Sequence, residues 1–285
     1  MNKEENISLD SIGVHNPEKW RLVIKIGAKN LSYALYCEET SEFVGNTALL
    51  QSNDELLSCK QIEDAIYSTP LPGNDFKSVG VIVEPNHFLI VPLDVAKLCD
   101  NKKMIETAFG KFDNEKTVIC EQIQSVDIGI VWSVDESVYN FMLRTFYNAT
   151  FTHSMTQIIT QSMRRSMLAN TPRMFIVADS ELLKVVVSDG NKLCAANMYE
   201  CTSMENAGYY LMALWKECNL DQLSAEVLIS GCWEKRAEIE QTLRDYIKIV
   251  LPDLYPPSLL KISKDAQSYN IDMMLKLVNT IYANN

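Results

Sequence analysis

The chain has 285 residues, enough for two domains of ordinary size or one large one. Hydrophobic residues make up 47% and charged residues 22%, a globular balance that leaves only 1–17, polar and without periodicity, as a flexible N-terminus. The formal charge is -11 and no basic cluster is denser than Arg164-Arg165, which argues against a nucleic-acid footprint.

No stretch approaches the ~20 apolar residues of a membrane span, and Met1-Asn2-Lys3-Glu4-Glu5-Asn6 lacks the basic-then-apolar order of an export signal. A cytoplasmic location is therefore expected. The eight cysteines (Cys37, Cys59, Cys99, Cys120, Cys194, Cys201, Cys218 and Cys232) form no Cys-x-x-Cys pair. They read as reduced core residues, mostly in apolar runs.

In chain order, Trp20–Ile26, Leu31–Cys37 and Phe43–Leu50 read as strands, with turns at Gly27-Ala28-Lys29-Asn30 and Glu38-Glu39-Thr40-Ser41. They form an antiparallel meander. Asn53 or Asp54 is positioned to cap a helix from Glu55 to Tyr67. Val79–Val83 is short and wholly apolar, as buried parallel strands are. Phe88–Val91 is a further apolar piece, followed by helices at 94–98 and 103–109. Strands are expected at 117–122 and 128–132, a helix after Asp135 to about Tyr147, and another over 154–168. Asn170-Thr171-Pro172 marks a boundary.

The opening pattern then returns. Met174–Ala178, Leu182–Val187 and Lys192–Tyr199 read as three strands, with Ser188-Asp189-Gly190-Asn191 as a hairpin turn. A helix over 203–218, a short strand at Glu226–Ile229, a long helix over 234–250 and an amphipathic helix over 265–282 complete the chain. Meander, helix, strand, helix thus occurs twice, about half the chain apart. This is either a duplication into two lobes or a common unit arising twice.

The double meander resembles the actin-like ATPase superfamily. The segments Lys192-Leu193-Cys194-Ala195-Ala196-Asn197-Met198-Tyr199, Tyr209-Tyr210, Leu228-Ile229-Ser230-Gly231, Asp245-Tyr246-Ile247, and Phe88-Leu89-Ile90-Val91-Pro92, taken in order, resemble a Bacteroidetes-type family of uncharacterised proteins with that fold. The resemblance covers nearly the whole chain. It implies an α/β protein of two ribonuclease-H-like lobes, 18–170 and 171–285. Each lobe has a three-stranded antiparallel meander extended by parallel strands and flanked by helices. The last helix is expected to cross back to the first lobe.

The superfamily's hairpins carry Asp-x-Gly signatures that order Mg²⁺ and hold phosphate oxygens. Here the first hairpin reads Lys25-Ile26-Gly27, with a lysine that can touch phosphate as a point charge but cannot hold a metal. In the second, Val177 stands where the aspartate belongs, and Glu181 would face phosphate with like charge. The adenosine-binding glycines are reduced to Ser230-Gly231-Cys232. The candidate cleft positions are Lys25, Gly27, Asp179 and Gly231. No catalytic residue, cofactor or metal site is expected.

Asp127-Ile128-Gly129 matches the phosphate signature but lies in neither hairpin. His15, His87 and His153 have no second ligand at helical spacing. In the helix over 203–218, Leu211, Met212 and Trp215 with Tyr209 and Tyr210 read either as core packed against the second meander or as a helix from which one tyrosine reaches the interlobe cleft. Met273 and Met274 either close a lobe or form a partner face.

The expectation is a non-catalytic binding module with a protein partner, similar to degenerate actin-like members of pilus and secretion platforms. The alternatives are an atypical nucleotide-binding enzyme, with Lys25 on phosphate and Asp179 as the surviving acid, and a small-molecule sensor using the same cleft.

Overall fold

Side-chain alternation of period two sets which face of each strand is buried, and it organises the computed structural model. The structure describes residues 8–50, 56–169, 171–179, 182–201, 203–231, 234, 236–253 and 269–279. The expected Asn53 or Asp54 cap, the Asn170 boundary, Ser180, Glu181 and Cys232 lie outside these residues.

β1 (Trp20–Ile26), β2 (Asn30–Cys37) and β3 (Glu42–Leu49) form the expected antiparallel meander. α1 (Cys59–Tyr67) begins at a capping box in which Ser58 accepts the Gln61 N–H and Gln61 accepts the Ser58 N–H. This reciprocity, which satisfies two helix-end donors, places the start at Ser58 rather than at Asn53 or Asp54. β4 (Ser78–Val83) runs parallel to β1.

A separate three-stranded sheet follows. It comprises β5 (Phe88–Pro92), then α2 (Leu93–Leu98) and α3 (Asn101–Phe109), β6 (Lys116–Ile123) and β7 (Ile128–Asp135), in the order β5-β7-β6. After α4 (Glu136–Thr145) comes β8 (Ala149–His153), parallel to β4. β8 has no counterpart in the sequence reading. Its threonines hide it, yet they are satisfied in place, as when the Thr150 hydroxyl donates to the Val79 carbonyl at 3.2 Å. α5 (Ser154–Ser166) is buried along much of its length.

The second meander is β9 (Arg173–Asp179), β10 (Leu182–Asp189) and β11 (Lys192–Glu200), followed by α6 (Met204–Glu217), β12 (Glu226–Ser230), α7 (Arg236–Arg244) and β13 (Ile249–Pro252). The expected helix over 234–250 ends at Arg244. The β-branched pair Ile249-Val250 instead pairs in parallel with β12. The five-stranded sheets have the orders β3-β2-β1-β4-β8 and β11-β10-β9-β12-β13, the same topology twice.

On β9, Met174, Ile176 and Ala178 enter the core of the second lobe, whereas Phe175 and Val177 face a core shared with the first. α8 (Ile271–Asn279) lies in that shared core, with Ile271, Met273, Met274, Leu275 and Leu277 buried. It packs on β1, β2, β4 and α5. The last helix therefore returns to the first lobe, and Met273 and Met274 line an internal seam rather than a partner face. On α5, Arg165 pairs with Asp253 and covers the Phe175 ring, which ties that helix to the second sheet.

Part of the N-terminus expected to be flexible is anchored. Residues 9–12 and 17–19 form 3-10 turns, Leu9 and Val14 are buried, and Trp20 Nε1 donates to the His15 carbonyl at 2.8 Å. Two apolar side chains spaced too far apart to look periodic suffice to hold it. The seven described cysteines are unpaired, but only Cys37 and Cys201 are buried, and Cys99 and Cys194 are exposed.

Gly231 has φ +110°, and a Cβ there would lie 2.1 Å from the Ala178 carbonyl oxygen. Gly231→Ala is expected to destabilise the chain by roughly 3 kcal/mol or more in chemical denaturation, because strain and backbone clash add. A loss below about 1 kcal/mol would mean that this loop is free to move away from β9.

Candidate functional site

Two lysines stand among apolar neighbours within strands, Lys25 between Ile24 and Ile26 and Lys184 between Leu183 and Val185. Lys25 is the penultimate residue of β1, and Lys184 sits on β10 opposite Val177 of β9. Strand alternation sends Lys184 to the same side as Val186, toward the core between the sheets. Neither can reach water: Lys25 is 1% and Lys184 0% exposed. A buried ammonium must find carboxylates or lose its proton.

Three carboxylates meet them. Asp272 Oδ2 accepts from Lys25 Nζ at 2.9 Å and from Lys184 Nζ at 3.1 Å. Glu84 Oε1 lies 3.0 Å from Lys25 Nζ and also pairs with Lys184. Asp179 Oδ2 lies 3.4 Å from Lys184 Nζ. Glu84 directly follows β4, at the carboxyl end of a parallel strand, where open α/β sheets place their sites. Asp272 stands in the first turn of α8, where the helix dipole favours negative charge. Its Oδ1 accepts the Met273 N–H at 2.8 Å.

Burial opposes ionisation of Asp272, but Lys184 and Lys25 outweigh it and hold the carboxyl at about 2. Burial likewise raises Glu84, and the same two lysines bring it below the usual range. Burial lowers Lys184, and Asp272, Glu84 and Asp179 together lift it well above an ordinary lysine. Glu84, Asp272 and Lys184 are therefore ionised at neutral pH, in a cluster of three acidic and two basic side chains. It can neutralise charge and join the two lobes.

The four cleft positions read from sequence fall around this cluster. Lys25 and Asp179 both belong to it, joined through Lys184 and Asp272. Gly27 closes the first hairpin, its N–H donating to the Asn30 carbonyl at 3.0 Å, and Glu84 lies beside it. Gly231 rests on the Ala178 backbone, next to Asp179. Sequence reasoning missed Lys184, Glu84 and Asp272. A lysine inside Leu182-Leu183-Lys184-Val185-Val186-Val187 was the available signal for the first; Asp272 had none, because its partners lie far away in sequence.

A second polar cluster underlies α5. Glu121 Oε1 accepts from the His153 N–H at 2.5 Å, Trp132 Nε1 at 2.9 Å and the Thr156 hydroxyl at 3.0 Å. Burial pushes this carboxyl up to about 7 despite these donors. Lys276 of α8 donates to the Thr152 hydroxyl at 2.7 Å. Burial lowers its pKa, and the charge of Glu121 opposes that shift. His153 is buried and held down to about 4 by desolvation. Its Nε2 lies 3.0 Å from the Pro85 carbonyl, and Nδ1 accepts the Met155 N–H at 3.1 Å. His15 pairs with Asp10 and His87 stacks on Phe109, so the three histidines stay apart. Among the described residues no group of three or more His, Cys, Asp or Glu could hold a metal, and no helix is long and apolar enough to cross a membrane.

A family model described as "Protein of unknown function (DUF3822)" matches residues 10–250, so the chain belongs to that family. A Bacteroides thetaiotaomicron protein with actin-like ATPase fold and unknown function aligns with a TM-score of 0.73 at 20% identity, over 92% of this chain and 96% of that one. The PilM-PilN type IV pilus biogenesis complex aligns with a TM-score of 0.55 at 12% identity, over 93% of this chain and 98% of that one. The fold is that of the actin-like ATPases. No curated protein matches the chain.

Asp272 has a depressed pKa, so its stabilisation is complete above about pH 4 and is lost as pH falls toward 2. Asp272→Asn should cost about 3 kcal/mol at pH 7, and acid titration of stability should show the gap to wild type narrowing by about 2 kcal/mol between pH 4 and pH 2. A gap independent of pH would remove the ion pairs as its cause. Glu121 has a raised pKa, so its ionisation costs stability as pH rises from about 4.5 through 7. Glu121→Gln keeps an acceptor oxygen for the three donors. Relative to wild type it should gain about 2 kcal/mol between pH 5 and pH 8, measured by urea unfolding at each pH. A flat difference would show that burial does not set this carboxyl.

Proposed function

We propose that this chain is a non-catalytic actin-like protein that acts in the cytoplasm by holding a protein partner. Its lobes would be 18–170 and 171–285, with α8 returning to the first. The observation that carries this reading is Asp272: a carboxylate of the chain itself sits between Lys25 and Lys184, at the converging hairpins where a nucleotide's phosphates would lie. Both cations are already neutralised and dry, and Asp179, the acid an enzyme would have left, is committed to Lys184. A Mg²⁺-triphosphate would have to displace α8 and desolvate further charge. PilM, which shares the fold, occurs in a complex with PilN, so binding another protein is compatible with this architecture.

A ligand that binds the native state raises the melting midpoint, by several degrees when it is present at about a hundred times its dissociation constant. Millimolar Mg-ATP or Mg-ADP should leave the midpoint within about 1 °C of its value without nucleotide. A rise of several degrees that Lys25→Ala abolishes would overturn the proposal in favour of a nucleotide-binding enzyme.

A further inference from the structure

The two lobes leave a groove of about 650 Å³ whose walls are two sheet edges. One wall is β5, which ends the sheet β5-β7-β6; the other is β11, which ends the sheet β11-β10-β9-β12-β13. Each has a hydrogen-bonded neighbour strand on one side only, so main-chain donors and acceptors along Phe88–Pro92 and Leu193–Tyr199 face the groove without a strand partner among the described residues. Exposed edges invite strand addition, and proteins normally blunt them with proline, charge or brevity. β11 is nine residues long and its groove-facing run has none of these, though a register shift at Ser188 marks a bulge at Cys194.

The ends of the groove are defined. Asn86 Nδ2 donates to Glu200 at 2.6 Å and so joins the start of β5 to the end of β11. The walls therefore run in opposite directions, and the far end lies beside Pro92 and Asp127. A carboxylate stands at each end: Glu200 with the stacked Tyr199 and Tyr210 rings (4.8 Å, 6°) at one, Asp127 at the other. Among the described residues no lysine or arginine lines the space between, and the chain carries a net charge of -11. Five residues of β5 span roughly 17 Å.

We infer that this groove takes a short extended segment of another protein, about five or six residues of small or apolar character flanked by basic residues, added as a strand between β5 and β11. Main-chain hydrogen bonds would supply affinity, and the two acidic ends would select partners by charge. The inference rests on the proposal that the chain binds a protein, but it concerns a groove that Lys25, Glu84, Asp179, Lys184 and Asp272 do not line. Nucleotide binding would overturn that proposal without touching the groove.

The test uses a fluorescent peptide of alternating valine and threonine with two basic residues at each end. Its controls are the same core with glutamate flanks and the same peptide with a central proline. Binding is followed by anisotropy and by hydrogen exchange of the full chain. The expected result is saturable binding of the basic-flanked peptide, at least tenfold weaker for both controls, with exchange slowed about tenfold or more at 88–92 and 193–199. Asp127→Asn, which retains a residue tolerant of the left-handed backbone (φ 55°), should weaken binding several-fold. Absence of binding, equal binding of the acidic peptide, or protection confined to other segments would overturn the inference. So would amides of β5 and β11 already protected in the free chain: in a dimer they would assign the groove to a second copy, and in a monomer to the chain itself.

Discussion

Two ammonium groups without water constrain this molecule more than any other feature. Lys25 and Lys184 come from different sheets, and each would be intolerable alone at its level of burial. Asp272 resolves the problem for both at once, with Glu84 and Asp179 completing the neutralisation. The arrangement need not stabilise the protein more than a packed apolar core would. What it imposes is specificity: α8 has one position in which its first turn meets both lysines, and that position fixes both sheets against each other.

The apolar packing agrees with the charges. Along β9 one face belongs to the second lobe and the other to the shared core, so the seam between lobes is as dry as their interiors. α5 and α8 fill this seam from opposite lobe-to-lobe connections, and Arg165 with Asp253 pins the far end of α5. A site of this kind suits a rigid platform more than a machine that opens and closes around a ligand. Under the proposed function, recognition falls to surfaces such as the edges of β5 and β11.

Most of the fold was legible because its strands are apolar and its turns use glycine, asparagine and aspartate in familiar ways. The double meander and its resemblance to the actin-like fold both rest on such local signals. What escaped was non-local or masked by composition. β8 carries two threonines whose hydroxyls are satisfied only by their neighbours in the fold, and β13 follows a helix so closely that its β-branched pair reads as helix tail. Lys25 and Asp179 were singled out as cleft positions, but as potential contacts of a ligand. That Lys25 is neutralised by Asp272 depends on a contact across 247 residues, which no local pattern encodes.

That separation also orders the assembly of the protein. During synthesis both meanders emerge before residue 272, so each lobe can form its own sheet while the lysines remain hydrated. Closing the seam at that stage would strip water from two cations with only Glu84 and Asp179 to receive them. Seam closure is therefore favoured only once Asp272 has emerged, which makes α8 a late-arriving counter-charge that converts two separate sheets into one sealed body.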